Sequence, residues 1–386
     1  MNIKKKIYLV GGAVRDKLMG IPINDKDYVA IGYEADEFSH LQRVGKDFPV
    51  FLLSCGSELA LARIEKKTAS GYNGFTTQTH NVTLEEDLLR RDLTINSIAF
   101  DEESKSYIDP YNGTKDIQNK ILRHTSNAFT EDPLRVLRIA RFRAKFGKEW
   151  SISDSTKELI STMKNELQYL QKDRVYKEIK KASTYKEFHL LFETLYELDV
   201  LDSIFPIISV LIKDQTSFKL AMRLMQTLHS QSLELKLCAI YYYIFQIQNG
   251  NKVLELDIKL PKKMDHYIIA LITKIDRFNI IENEENINIV ALFTSFRRNK
   301  KLLEDLLYFN KAVVCIEKDS KLTTAKKLNN DIITNIFNEI SSYSPKTWID
   351  SLSTKPSNLK ISGHIQNYNL RVISRYKQLH TKLFIP

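Results

Sequence analysis

Residues 8–32 read YLVGGAVRDKLMGIPINDKDYVAIG. The apolar run at residues 7–10 meets Gly11 and Gly12, Arg15 and Asp16 follow, and Asp25 and Asp27 then open a second apolar run at residues 28–31. This order predicts a strand, a glycine turn, a short helical piece and a second, buried strand. On a strand, residues i and i+2 share a face, so Asp25 and Asp27 are expected side by side with Lys26 on the other face. Two carboxylates that close repel and desolvate one another, which calls for a cation between them. Hard oxygen ligands of this kind suit Mg²⁺, which keeps several waters and shares its shell with substrate phosphates. Glycines at a strand–helix turn let backbone N–H groups approach a phosphate, and an arginine one turn on can pair with it. Gly12 and Arg15 are therefore candidate phosphate ligands. The motif is not a P-loop, because no GxxxxGK[ST] is present.

The rest of the chain sets the frame. Its 386 residues carry a formal net charge of +10 and 43% hydrophobic residues, enough for two or three domains. The basic balance fits a polyanionic partner such as nucleic acid, or equally a lysine-rich background. Cys55, Cys238 and Cys315 lie far apart with no CxxC, so neither a disulfide framework nor a cysteine metal site is expected. No apolar window approaches the roughly 20 residues of a membrane span, and the N-terminal apolar run is too short for a signal peptide. A soluble, cytoplasmic protein without a membrane association is expected. Strand-like runs (IYLV, YVAIG, PVFLL, LALARI, INSIAF, SYIDP) and most glycines fall before about residue 112, and helical periodicity dominates afterwards. The final residues 351–386 hold six Lys or Arg and no acid, as an RNA-contacting tail or a solvated helix face would.

Here the motifs become specific. GGAVRD followed by DKD resembles the signature of the tRNA nucleotidyltransferase and poly(A) polymerase family, the class II group of the polymerase-β-like superfamily. YVAIG after the DxD is more similar to the bacterial CCA-adding branch than to the polyadenylating branch. LEEDLLRRDLTINSIAF at residues 84–100 matches the family's second motif. There Arg91 and Asp92 could meet the triphosphate and the ribose hydroxyls, and a helical pair between Arg90 and Glu86 is expected beside them.

TEDPLRVLRIARFRAKF at residues 130–146 is the most informative helix. Pro133 suits the first helical position and Asp132 the N-cap. Arg135, Arg138 and Arg141 recur at i+3, and like charges so placed destabilise a helix by a few tenths of a kcal/mol per pair, so an anion is expected near them. The resemblance gives this helix the reading of the incoming base through Asp132 and Arg135, with Arg138 and Arg141 also at the nucleotide. Chemistry agrees: cytosine and adenine each present an amino donor beside a ring-nitrogen acceptor, which a carboxylate and an arginine match. Uracil and guanine reverse the pattern and would leave buried groups unpaired. Residues 66–87 resemble the family's flexible loop, expected for the complete CCA activity. KDRVYKEIKKA at residues 172–182 resembles the ERV-type helix that follows, and no catalytic role is assigned to it.

The resemblance implies an α+β fold: a polymerase-β-like nucleotidyltransferase head with a mixed sheet and helices, then an elongated all-helical neck, body and tail. The expected segments are a catalytic head at 1–112, a helical nucleotide-selecting neck at 113–200, and a body and tail at 201–386 that bind tRNA. The implied activity is addition of C, C and A to tRNA 3′ ends from CTP and ATP, with two Mg²⁺ ions held by Asp25 and Asp27. Gly12, Arg15 and Arg91 would bind triphosphate or sugar. The implied partners are the acceptor and TΨC arm of tRNA, with no protein partner required. Enzymes adding only A or only CC, and poly(A) polymerases, share the head motifs; a non-catalytic RNA-binding protein is the reading from another class. Relatives with a C-terminal phosphohydrolase domain use an His-Asp pair, and no His-Asp dipeptide occurs in this chain, so that side activity is not expected.

Overall fold

The run KIYLV forms strand β1, Lys6–Val10, and stops where Gly11 takes φ 71°, a backbone that side-chain-bearing residues rarely adopt. Helix α1, Gly12–Leu18, leads back to strand β2, Asp27–Ile31, which pairs antiparallel with β1 so that Val10 faces Asp27. The computed structural model describes residues 4–23, 25–44, 50–67, 75–248, 258–320 and 328–378. Strands β3 (Gln42–Val44), β4 (Val50–Leu52) and β5 (Glu58–Leu61) continue the head, and β5 runs parallel to β2. A separate antiparallel pair, β6 (Ile64–Lys67) and β7 (Phe75–Gln78), precedes helix α2, Leu84–Leu89. Strands β8 (Ala99–Asp101) and β9 (Ser106–Ile108) complete a seven-stranded mixed sheet in the order β3-β4-β5-β2-β1-β8-β9.

The sheet is buried on both faces. Leu9, with Ala13, Val14, Ile98 and Phe100, forms the core beneath α1, while Val10, Val29, Ile31 and Ala99 pack with Leu84 and Leu88 of α2 on the opposite face. Period-2 alternation therefore assigns Asp27 to the α2 face, in phase with Val29 and Ile31. After helix α3 (Gly113–Gln118) come the two-residue parallel strands β10 (Ile121–Leu122) and β11 (Ser151–Ile152), which flank helix α4, Leu134–Phe146. Helices α5 (Asp154–Thr162), α6 (Lys164–Leu167) and α7 (Lys172–Ala182) follow, with α7 packed on α4.

Two of the expected local structures differ. Asp25 lies ahead of β2 rather than on it, and both Asp25 and Asp27 are exposed; the strand is buried only from Val29. The run INSIAF is not one strand either: Thr94–Asn96 forms a 3₁₀ turn, and only Ala99 onward pairs in the sheet. Of the expected loop 66–87, residues 68–74 lie outside the described residues; the remainder holds the end of β6, β7 and the start of α2, where Thr83 and Glu86 form a reciprocal capping box.

The chain divides into two units, Met1–Ala182 with Leu190–Ile204, and Ser183–His189 with Phe205–Pro386. The described elements of the second unit are all helical. Its central helix, Leu233–Ile247, buries Tyr241 and Tyr242 to 1% exposure each, the expected consequence of a segment apolar all round. The C-terminal helix Asn358–Gln378 packs on helices Asn286–Thr294 and Asn330–Ser342. Among the described residues no helix is long and apolar enough to cross a membrane.

Candidate active site

The carboxylates of Asp25 and Asp27 stand close enough to affect one another. Desolvation pushes the Asp27 carboxyl above its usual range, Asp25 pushes it further, and Arg91 pulls it back. Neither carboxylate forms an ion pair or a side-chain hydrogen bond among the described residues; Arg91 offsets their repulsion only through space. That is the donor set and the charge state that a divalent cation relieves. Among the described residues no third His, Cys, Asp or Glu joins them, so further ligand positions would fall to water and substrate oxygens.

Arg91 closes one side of this space. A Cβ on Gly11 would come within 3.1 Å of its Nη1, so the glycine is required by close approach as well as by φ. The Arg91 Nη2 donates to Asp87 Oδ2 at 3.0 Å, and its Nε is buried without a partner. Asp87 is fully buried and also accepts from Arg90, Nη2 to Oδ1 at 2.7 Å. Burial works against its charge, but Arg91 and Arg90 together hold its carboxyl below the usual range. Arg90 thus pairs at i−3 with Asp87, not at i−4 with Glu86 as expected. Glu86 is committed instead to the backbone N–H and hydroxyl of Thr83, both at 2.9 Å.

Arg15, expected to reach a phosphate, lies beneath the surface at 4% exposure. Its Nε donates to Asp16 at 2.8 Å and its Nη1 to Asn96 at 2.6 Å, and the guanidinium packs over the rings of Phe142 and Phe146 of α4. Lys145 Nζ reaches the same Asp16 at 3.0 Å. Gly12 opens α1 with Arg15 Nη2 3.5 Å from where its Cβ would stand.

Asp92, considered for the ribose hydroxyls, is only 7% exposed and already engaged. Its Oδ1 accepts from the Leu93 N–H and from Asn96 Nδ2, both at 2.9 Å, and Arg138 Nε donates to its Oδ2 at 2.7 Å. Burial would raise this carboxyl, but Arg138, the Asn96 hydrogen bond and Arg135 outweigh it and hold it far below the usual range. Asp92 is therefore an internal counter-ion to Arg138 in this structure.

Helix α4 begins where Asp132, in extended backbone, accepts the Leu134 N–H on Oδ1 at 3.2 Å, and Pro133 takes the first helical conformation. The three arginines find three different partners. Arg135 donates from Nη1 to the Ala128 carbonyl at 2.6 Å and from Nη2 to the Arg90 carbonyl at 2.8 Å. Arg138 meets Asp92, and Arg141, buried at 8% exposure, donates from Nε to Glu178 of α7 at 2.6 Å. The anions expected near them are thus supplied in part by the chain itself. Asp132 in turn is gripped by Arg174 of α7, through Nη1 to Oδ1 at 3.2 Å and Nη2 to Oδ2 at 2.8 Å.

Arg174, Asp87 and Asn96 lie inside the segments quoted at 172–182 and 84–100, but the sequence reading gave none of them a role. A signal for Arg174 exists: Arg174 and Glu178 are four apart on α7, one cation and one anion on one face, complementary to Asp132 and Arg141. Asp87 carries none, being one acid of three in a helix first turn.

The match to known families falls on these segments. Residues 7–123 match the family described as the poly A polymerase head domain, and residues 150–211 that described as a probable RNA and SrmB-binding site of polymerase A. A multifunctional CCA protein of Shewanella denitrificans is 50% identical over 213 residues, 53% of this chain and 51% of its own; one from Pseudoalteromonas atlantica is 51% identical over 203 residues, 51% and 50%. The chain thus spans about half the length of these curated relatives. The fold is that of the Bacillus stearothermophilus CCA-adding enzyme solved with CTP, with TM-score 0.60 at 20% identity over 96% of this chain and 88% of that one. The Thermotoga maritima CCA-adding enzyme complexed with tRNA gives TM-score 0.56 at 18% identity over 96% and 92%.

Proposed function

We infer from this site, in a chain whose residues 7–123 match the poly A polymerase head-domain family, that the protein adds C, C and A without a template to the 3′ end of tRNA, using CTP and ATP and releasing pyrophosphate. The observation that carries the reading is the unpartnered pair Asp25 and Asp27 standing beside Arg91 over Gly11. Two Mg²⁺ ions held there would lower the pKa of the RNA 3′-hydroxyl and neutralise the triphosphate. The bond formed joins that hydroxyl oxygen to the α-phosphorus, and the bond broken releases pyrophosphate.

The chain's own groups do the positioning. Arg91 presents a cation at the triphosphate, held in place by Asp87. Gly12 lets the backbone come close, and Arg15 acts from below by holding Asp16, Asn96 and the aromatic rings of α4 in place. Asp132 and Arg135 read the base. Arg174 fixes the Asp132 carboxylate in its plane and leaves Oδ2 one acceptor position for the exocyclic amino group of C or A. Arg138 and Arg141 support the helix through Asp92 and Glu178. The region 113–200 would then be the nucleotide-selecting neck.

We assign residues 201–386 to tRNA, gripped at the acceptor and TΨC arm by shape and phosphate charge. Support comes from exposed Lys360 and Arg371 on the C-terminal helix, next to the stacked rings Tyr343–Tyr368 at 3.6 Å and Trp348–His364 at 3.9 Å. These substrates would place the enzyme in the cytoplasm. The test uses tRNA transcripts ending before CCA, after C and after CC, incubated with Mg²⁺ and each nucleoside triphosphate singly and mixed, with the 3′ ends sequenced. Ordered C, C, A followed by a stop supports the reading. CC-only or A-only products would reduce it to a partial enzyme. Long A tails would make it a poly(A) polymerase, which the head family's description keeps in view. No incorporation by a folded, tRNA-binding chain would leave an RNA-binding protein.

A further inference from the structure

Asn96 occupies a buried joint between the glycine–arginine segment and helix α4. Its Oδ1 accepts from Arg15 Nη1 at 2.6 Å, and its Nδ2 donates to Asp92 Oδ1 at 2.9 Å. Asp92 takes Arg138 on its other oxygen at 2.7 Å. Arg15, Asn96 and Asp92 are 4%, 6% and 7% exposed, so the bonds among them are shielded from water, while the Arg138 end of the chain is partly open. The order is cation, amide, anion, cation. A short amide offers an acceptor to the cation and a donor to the anion at once; a carboxylate would face Asp92 with like charge, and an aliphatic side chain would leave both buried ions short of a partner.

The turn that carries Asn96 is itself anchored. The Thr94 N–H donates to the Arg123 carbonyl at 2.9 Å and its hydroxyl to Asp116 at 2.7 Å, and Gly113 lies so close that a Cβ there would stand 2.2 Å from the Thr94 carbonyl oxygen. A fixed platform therefore holds Asn96 between the two elements assigned above to the nucleotide site. One is α1, which follows Gly11 beside Arg91, and the other is α4, which carries Arg135.

We propose that Asn96 is a positioning residue that sets the register between the triphosphate end and the base-reading end of the nucleotide site. This rests on the nucleotidyl-transfer reading above. Asn96 touches neither end of the nucleotide; it transmits orientation through Arg15 and through Asp92 to Arg138. Base discrimination consequently depends on a side chain that never meets the base.

The experiment compares wild type with Asn96→Asp and Asn96→Leu, measuring KM and kcat for CTP and the CTP-over-UTP ratio on tRNA ending before CCA, from about pH 8 to about pH 5.5. The groups facing position 96 are Arg15 and, behind it, Asp16 and Lys145, and on the other side Asp92 with Arg138. Arg15 favours a charged carboxylate there and Asp92 opposes it. At pH 8, Asn96→Asp is expected to raise KM about tenfold and to lower the CTP-over-UTP ratio by a similar factor, with a smaller change in kcat, as loss of one hydrogen bond to a charged group implies. As pH falls, a protonated carboxyl again offers a donor to Asp92 and an oxygen to Arg15, so Asn96→Asp recovers relative to wild type, while Asn96→Leu stays defective throughout. Wild-type KM and selectivity in Asn96→Asp at pH 8, or the same defect in both variants at every pH, would overturn the positioning role. A wild-type chain that incorporates nothing would overturn the nucleotidyl-transfer reading itself, whereas an active wild type with an indifferent Asn96→Asp condemns the Asn96 inference alone.

Discussion

Arg174 and Asp132 are joined by two parallel hydrogen bonds, at 3.2 and 2.8 Å, so the orientation of the carboxylate proposed to read the base is set from a different helix, α7. A guanidinium fork fixes a carboxylate in its plane; an ammonium supplies the same charge without the plane. Arg174→Lys is therefore expected to lower CTP-over-UTP discrimination by roughly tenfold, nearly as much as Arg174→Ala. Paired incorporation of the two nucleotides by each variant checks this. Full discrimination by Arg174→Lys would show that charge alone suffices.

The unpartnered pair Asp25 and Asp27 makes two effects run in opposite directions. The Asp27 carboxyl is raised, so the folded state holds its proton more tightly than the unfolded chain, and this group's contribution to stability declines as pH rises through the raised value. Asp27→Asn should thus raise the unfolding temperature slightly at neutral pH in EDTA, an effect that solvent screening of the exposed carboxylate keeps small. It should also abolish incorporation and remove the stabilisation that added Mg²⁺ gives wild type. Thermal melts with EDTA and with Mg²⁺ read both. A variant that is still stabilised by Mg²⁺ to the wild-type extent would move the cation elsewhere.

Asp92 has the opposite sign. Its folded-state pKa lies well below the ordinary value near 3.9, so its contribution is fully present above about pH 5 and is lost as pH falls through 3.9 towards the folded value. Asp92→Asn strips the counter-ion from Arg138, which is one-third exposed, and is expected to cost about 1–3 kcal/mol at pH 7. The variant's stability should also fall less steeply on acidification. Urea unfolding between about pH 3 and 7 tests both statements, and parallel acid limbs would remove Asp92 as a source of the acid sensitivity.

Gly11 and Gly56 separate backbone strain from site geometry. Both have positive φ, 71° and 83°, but a Cβ at Gly11 would press on Arg91 Nη1 at 3.1 Å, while nothing lies within 4 Å of one at Gly56. Alanine at either position should cost about 1–3 kcal/mol of stability. Only Gly11→Ala is expected to raise KM for the nucleotide as well, by displacing Arg91. Steady-state kinetics on both variants, at a temperature where each is folded, distinguish the two effects; equal KM values would place Arg91 away from the triphosphate.

The backbone setting of the candidate site residues was legible in the chain because it is local in sequence. Gly11 must follow a strand and reverse it, Asp27 is in phase with the apolar residues of its own strand, and Asp132 with Pro133 opens a helix; backbone conformation and short-range periodicity fix all three. Which charge meets which was decided only in three dimensions. Arg138 lies 46 residues from Asp92, Arg141 lies 37 from Glu178, and Arg174 lies 42 from Asp132. Helical spacing states which face a side chain occupies but not what the neighbouring element brings to that face. Burial then selects the partner, since a charge out of water is tolerated only against an opposite one. For the same reason the sequence showed Arg15 as a candidate phosphate ligand but not its burial: the rings of Phe142 and Phe146 and the amide of Asn96 come from distant parts of the chain and are brought around it only by packing.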